Sequence, residues 1–256
     1  MFNLEDKTDM FLKMLFPGAD ILIDAPRASY DINYIISRMV IVYGRPSSGK
    51  TETVRSIVER AVDFYGESNV DAILVENGDL EAAMEALGSS LVQIIFIDNF
   101  TLKEVSKQAI RDYFRIRHLW KERINRNYGY ILTFLGLHRF YSTFPEFTTN
   151  IDAVIAKNTT MNRYDRSVLK GFIGEEGIAD LYIIENMRLQ NPDFREYSIF
   201  ATSGDRGLLK LPLASKSYFR VVESKRRTPA NNGSIRIPSS ALRYLPIIDW
   251  ANRGGE

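Results

Sequence analysis

The octapeptide Gly44-Arg45-Pro46-Ser47-Ser48-Gly49-Lys50-Thr51 constrains this chain more than any other feature. It follows residues 39–43 (MVIVY), which read as a buried strand, and precedes residues 52–65, which read as a helix. The spacing is G-x-x-x-x-G-K-[ST] between a strand and a helix, which is the context its chemistry requires. Glycines at 44 and 49 let the backbone curl so that successive N–H groups converge. The helix beginning near Lys50 aims the positive end of its dipole at the same point. A nucleotide polyphosphate fits such a cradle. The predicted nucleotide-binding segment runs from Gly44 through Glu52; Lys50 reaches the β- and γ-phosphates, and the Thr51 hydroxyl ligates Mg²⁺.

Apolar runs at 71–76 (DAILVE), 91–98 (LVQIIFID), 130–137 and 153–156 alternate with segments at 80–87 and 102–125 that read as helices. Continuous apolar strands separated by helices predict a parallel sheet covered on both faces, hence an α/β domain. Later the pattern changes. Runs at 181–184, 197–202 and 208–211, with turn signals at Asn191-Pro192-Asp193 and Ser203-Gly204-Asp205, predict an antiparallel extension of the sheet. A short helix at 4–15 and a Phe16-Pro17-Gly18 turn precede the first strand. The expected division is an N-terminal helix and lead-in (1–38), a core (39–215) and a basic C-terminal extension (216–256), one structural domain overall. The length of 256 residues agrees, since roughly 150 per domain allows one large domain or one with an appendage.

The run at 92–98 (VQIIFID) ends in a carboxylate. In a sheet that already carries a phosphate loop, an aspartate at the end of a buried parallel strand lies at the ligand edge beside that loop. Asp98 would hold Mg²⁺ there, usually through water.

On these residues the chain resembles the additional-strand P-loop ATPases, the broad class containing the RecA-like and AAA+ motors. The resemblance covers roughly residues 39–158 and implies a P-loop NTPase three-layer sandwich. Its central sheet is mainly parallel, the 130–137 strand lies between the loop strand and the Asp98 strand, and the C-terminal extension is antiparallel. Within the class the chain looks most like the small ATPases of archaeal viruses and plasmids. The shared features are an aspartate strand followed by a long basic helix, the strand-loop-strand at 130–158, and a late basic segment leading into Ile235-Arg236-Ile237-Pro238. The resemblance implies ATP and Mg²⁺ as cofactors, hydrolysis, ring self-association, and DNA as the partner in replication, remodelling or packaging for a mobile element.

Many members of this class place glutamate directly after the strand-terminal aspartate to polarise water. This chain has Asn99, and an amide cannot accept that proton. Two readings stand. RecA-like members carry a catalytic glutamate at the preceding strand end, which the resemblance maps to Glu76; otherwise Asn99 orients the water and hydrolysis is slow. The class also senses the γ-phosphate from the intervening strand or its exit, where Thr133 and His138 are the polar candidates. Thr133 reads as readily as an ordinary structural residue, and His138 more readily as a satisfied loop histidine.

Between 102 and 126 the chain carries Lys103, Lys107, Arg111, Arg115, Arg117, Lys121, Arg123 and Arg126 against Glu104, Asp112 and Glu122. Lys103, Lys107, Arg111 and Arg115 recur every fourth position and so form one helical stripe, where like charges repel by ~0.2–0.5 kcal/mol per pair. A nucleic-acid backbone, a neighbouring subunit's nucleotide, or plain solvation would each accommodate it. In this class an arginine commonly completes the next subunit's site, and Arg111, Arg115, Arg117, Arg139 and Arg163 are all eligible. Lys225, Arg226 and Arg227 form a second basic segment suited to phosphate contacts. The aromatic residues at 140–147 offer stacking surfaces or ordinary packing.

Composition removes other chemistries. There is no cysteine, which excludes disulfide scaffolds, zinc fingers, iron–sulfur clusters and thiol nucleophiles. His118 and His138 are the only histidines, too few for a multi-histidine metal site, so no zinc or redox cofactor is expected. With 33 Lys and Arg against 32 Asp and Glu, any attraction to nucleic acid must come from local patches. The longest apolar stretches, 91–97 and 128–137, fall short of the ~18 residues that span a bilayer, and the N-terminus does not read as a signal peptide. These features predict a soluble, cytoplasmic protein without a membrane span. Two rivals share the loop: a small-molecule phosphotransferase, and a non-hydrolysing or slow ATP-dependent assembly switch, which Asn99 encourages.

Overall fold

A computed structural model of the chain describes residues 2–18, 34–101, 105–140, 150–159 and 162–223. After α1 (Thr8–Leu15) come β1 (Tyr34–Tyr43), α2 (Lys50–Tyr65), β2 (Val70–Val75), α3 (Leu80–Glu85) and β3 (Val92–Ile97). They are followed by α4 (Lys107–Phe114), α5 (Ile116–Ile124), β4 (Tyr128–Leu137), β5 (Ala153–Ala156) and α6 (Arg163–Gln190). The chain then forms β6 (Tyr197–Thr202), β7 (Arg206–Lys210) and β8 (Phe219–Val222).

All eight strands share one sheet in the order β7-β6-β5-β1-β4-β3-β2-β8. β1 is parallel to β4 and β5, and β3 is parallel to β4 and β2. The strand inserted between the loop strand and the aspartate strand is therefore β4, as expected. β6 and β7 extend the β5 side antiparallel. This is a three-layer α/β sandwich with a mainly parallel sheet.

The apolar runs explain the layering, because strands covered on both faces bury consecutive residues. Val40 and Val42 face a layer formed by Phe11 and Leu15 of α1 and Val54, Ile57, Val58 and Ala61 of α2. Ile41 and Tyr43 face the opposite layer, which includes Leu80, Ala109, Trp120, Leu169 and Leu181 of the later helices. Fully burying a side chain of this kind contributes ~1.5–3 kcal/mol, so the two faces together fix the register of the whole sheet.

The structure corrects two expected elements. Residues 181–184 are not a strand but part of α6, beyond its kink at Gly174 (φ 74°, ψ 178°), where buried Ile178, Leu181 and Ile184 recur at helical spacing. A four-residue apolar run looked like a strand only when read apart from its neighbours. The expected helix at 102–125 is two helices, α4 and α5, separated at Arg115 (φ −99°, ψ 8°). The break brings both Tyr113 and Ile116 into the core, so the charged stripe is not carried by one continuous helix. The sheet also crosses both expected boundaries. β1 starts within the lead-in, and β8 pairs with β2 in parallel from within the C-terminal extension.

Candidate nucleotide-binding site

The phosphate loop leaves the sheet held on both flanks. Gly44 N–H donates to Leu137 O on β4 at 3.0 Å, while Lys157 N–H, just past β5, donates to Tyr43 O at 2.8 Å. Arg45 N–H donates to Asn158 Oδ1 at 3.1 Å. Gly44 has no room for a side chain: a Cβ there would collide with Ser48 Oγ and stand 3.0 Å from Lys157 Cβ. Ser47 (φ 61°) and Gly49 (φ 89°) turn the loop through left-handed backbone, free for glycine and worth ~1–2 kcal/mol of strain for serine.

Gly49 then caps α2 without a side-chain bond. The first intrahelical bond runs from Thr53 N–H to Gly49 O, so the amides of Lys50, Thr51 and Glu52 lie at the helix N-terminus without helical acceptors. They add to the dipole at an anion-attracting end. Lys50 is only 6% exposed. Its ammonium donates to Gly44 O at 3.0 Å and Arg45 O at 3.2 Å, and lies 3.2 Å from His138 Nδ1. Burial pulls the Lys50 pKa down, and the charge of Asp98 opposes that pull.

Asp98 follows the last residue of β3, with its N–H bonded to Val75 O at 2.9 Å. Its Oδ1 accepts from Asn99 N–H at 2.9 Å, and Asn99 turns away through φ 56°. The Asn99 Oδ1 is 2.6 Å from His138 Nε2, and His138 Nδ1 is 2.9 Å from Gly44 O. The imidazole bridges Asn99 Oδ1 and Gly44 O, with the Lys50 ammonium beside its Nδ1. A polar chain thus links the loop lysine to the residue beside the aspartate.

These groups surround a cleft of ≈ 540 Å³ lined by Pro46, Ser47, Ser48, Gly49, Lys50, Thr51, Glu52, Asp98, Asn99, His138 and Arg195. The elements thus bring together the loop, Asp98, Asn99 and His138. Glu76 directly follows β2; it is exposed and does not line this cleft, although Gly78 N–H ties its turn to Asp98 O at 2.9 Å. Thr133 sits mid-strand in β4 opposite Met39 and Ile95, 1% exposed and beside Tyr113, away from the cleft. Arg111, Arg115, Arg117, Arg139 and Arg163 are exposed, and none lines the cleft. Arg117 instead lines a separate pocket with Arg38 and Asp152. Lys107 is exposed at the start of α4. Lys103, Lys225, Arg226 and Arg227 and the aromatic residues at 141–147 lie outside the described residues, while Phe140 is buried against Tyr43 at 4.5 Å between ring centroids.

Sequence reasoning missed Arg195, Lys157 and Asn158. The Asn-Pro-Asp signal marked a turn but not the cation that follows it, and Lys157 reads as a polar strand end.

The fold implies a magnesium ion, and the donor set fits one. Thr51 and Asp98 offer hard oxygen atoms on the same cleft, and the buried Ser48 Oγ there has no hydrogen-bond partner among the described residues. Among the described residues no group of three or more His, Cys, Asp or Glu could hold a metal by itself. Such a site suits a cation shared with phosphate oxygens and water, which is the habit of Mg²⁺.

No protein-family model matches the chain, and no curated protein matches it in sequence. Among solved structures it is similar to the genome-packaging NTPase B204 of Sulfolobus turreted icosahedral virus 2 in complex with ATP-gammaS. That likeness has TM-score 0.45 and 14% identity, covering 69% of this chain and 98% of that one. It is also similar to the pCW3 conjugation coupling protein TcpA, with TM-score 0.41 and 13% identity over 72% of this chain and 62% of that one. The cytoplasmic domain of the Thermomonospora curvata type VII secretion ATPase EccC gives TM-score 0.43 and 12% identity over 68% and 25%. Among the described residues, no helix is long and apolar enough to cross a membrane.

Proposed function

We propose that the chain binds ATP with Mg²⁺ and hydrolyses it as an oligomeric motor acting on DNA. The observation that carries this reading is the convergence of the loop amides, Lys50, Thr51 and Asp98 on one cleft. Lys50 and the amides at the start of α2 would hold the phosphates, with Lys50 exchanging its carbonyl and imidazole contacts for phosphate oxygens. Thr51 and Asp98 would hold the metal, which when bound neutralises phosphate charge. Asn99, held by His138, would orient a water molecule, and its amide cannot take the proton.

Support for a DNA partner comes from Lys107, Arg111, Arg115 and Arg117, all exposed and none in an ion pair among the described residues. Such a patch suits sequence-independent phosphate contacts. The test is ATP turnover with and without single- and double-stranded DNA at two salt concentrations. The expected result is stimulation at low salt that collapses at high salt, together with loss of turnover in Lys50→Ala. Turnover equal in Lys50→Ala and wild type would sink the nucleotide assignment, and absence of stimulation at low salt would sink the DNA assignment.

A second reading, a slow assembly switch, is favoured by Glu76 lying outside the cleft. It predicts slow turnover that neither DNA nor Glu76→Gln changes. A large loss would instead make Glu76 the catalytic base and return the chain to the motor class.

A further inference from the structure

Beneath the loop lie two cations that no part of the proposed mechanism uses. Lys157 is fully buried, and its stem passes under both loop glycines. A Cβ added to Gly49 would stand 3.8 Å from Lys157 Cε, just as one on Gly44 would crowd Lys157 Cβ. The Lys157 ammonium donates to the carbonyls of Arg195 at 2.7 Å and Tyr197 at 3.0 Å. Arg188, on α6, donates to the carbonyls of Lys157 at 2.6 Å, Tyr197 at 2.8 Å and Phe194 at 3.3 Å.

Backbone carbonyls hold the Lys157 ammonium, and neither Lys157 nor Arg195 has an ion-pair carboxylate among the described residues. Burial pulls the Lys157 pKa well down and Arg188 to about 10. Carbonyl dipoles offset the removal of a cation from water less completely than a carboxylate does, so Lys157 stands undercompensated, whereas Glu185 offsets part of the cost at Arg188. What they secure is the 3₁₀ turn Pro192–Glu196, whose Arg195 lines the cleft with its Cβ and Cγ close to Gly49.

We propose that Arg195 binds the phosphate chain of the nucleotide from within the same subunit, and that Lys157 and Arg188 are positioning residues that clamp its turn against the loop. This rests on the nucleotide reading of the cleft and deepens it. A guanidinium held there supplies forked donors to phosphate oxygens, and the anion offsets the charges buried below it. No sequence motif marks this site, because Arg195 reaches the loop only through the pairing of β5 with β6.

The test is equilibrium binding of ATP and of inorganic tripolyphosphate to wild type and to Lys50→Ala, Arg195→Ala, Lys157→Met and the Lys157→Met/Arg195→Ala pair. Arg195→Ala, at an exposed position, is expected to weaken both ligands by the same factor, about tenfold to a hundredfold, the loss of one or two charge-assisted hydrogen bonds. Lys157→Met is expected to weaken both as well, and to add nothing once Arg195 is already alanine. Unchanged affinity in Arg195→Ala, with wild-type binding intact and Lys50→Ala impaired, overturns the proposal alone. Loss of ATP but not tripolyphosphate affinity overturns the phosphate role in favour of base stacking. Additive losses in the double variant overturn the positioning role. A wild type that binds neither ligand removes the nucleotide reading, and this proposal with it.

Discussion

Lys157 gives a pH signature at the scale of a single residue. Its folded-state pKa lies below the ordinary lysine value of 10.5, so at pH values between the two the unfolded chain binds more protons than the folded one. Stability contributed at this position therefore rises with pH through that window and is lowest where Lys157 is charged in both states. Urea titrations at neutral pH and near pH 10 should show wild type gaining stability relative to Lys157→Met as pH rises; a constant difference would mean that its charge is not stressed. Gly129 is a second sensitive point, with φ 148° and a would-be Cβ 2.6 Å from the Trp120 ring. Gly129→Ala should destabilise by ~1–3 kcal/mol in chemical denaturation, through strain and overpacking together. The loop residues were legible one by one because each does its work within a short stretch of backbone. Arg195 and Lys157 were not, since the meaning of either depends on a strand pairing that brings residues 38 and 40 positions apart into contact.

At the scale of elements, β2 to β5 were read well because each buries a continuous run, which needs no knowledge of its neighbours; β8, with Arg220 and Val221 exposed, has no such run and was missed. Helices were read less well where a charge stripe suggested more continuity than the core permits. α4 is capped by Ser106, whose Oγ accepts from Ala109 N–H at 3.0 Å. Ser106→Ala should cost ~1 kcal/mol and fray the turn that presents Lys107. Far-UV circular dichroism with urea titration would measure this, and an unchanged midpoint would mean that the cap is redundant. The 181–184 run shows the opposite failure, a local pattern overruled by its surroundings. Asp180, next to it, is fully buried and accepts from the backbone of Asn3 and Leu4 at 2.8 Å, an anchor invisible to local reading.

For the whole molecule, the informative element is β8. Arg220 donates to Asp71 at 2.9 Å across 149 positions of sequence and also reaches Ala86 O at 3.0 Å. Contacts of that span form late, because loop-closure entropy must be met before they contribute. Arg220→Ala should therefore speed unfolding while leaving the refolding rate within about twofold, the behaviour of a residue outside the folding nucleus. Stopped-flow kinetics would show it, and slowed refolding with unchanged unfolding would place β8 docking early instead. A ribosome emits β2 long before its outer neighbour exists. Throughout that interval one rim of a hydrophobic strand offers unsatisfied peptide groups to any extended polypeptide nearby. Newly made copies crowded on one message are the nearest competitors for it, so translation density, more than mature stability, should set how much of this protein reaches its native form.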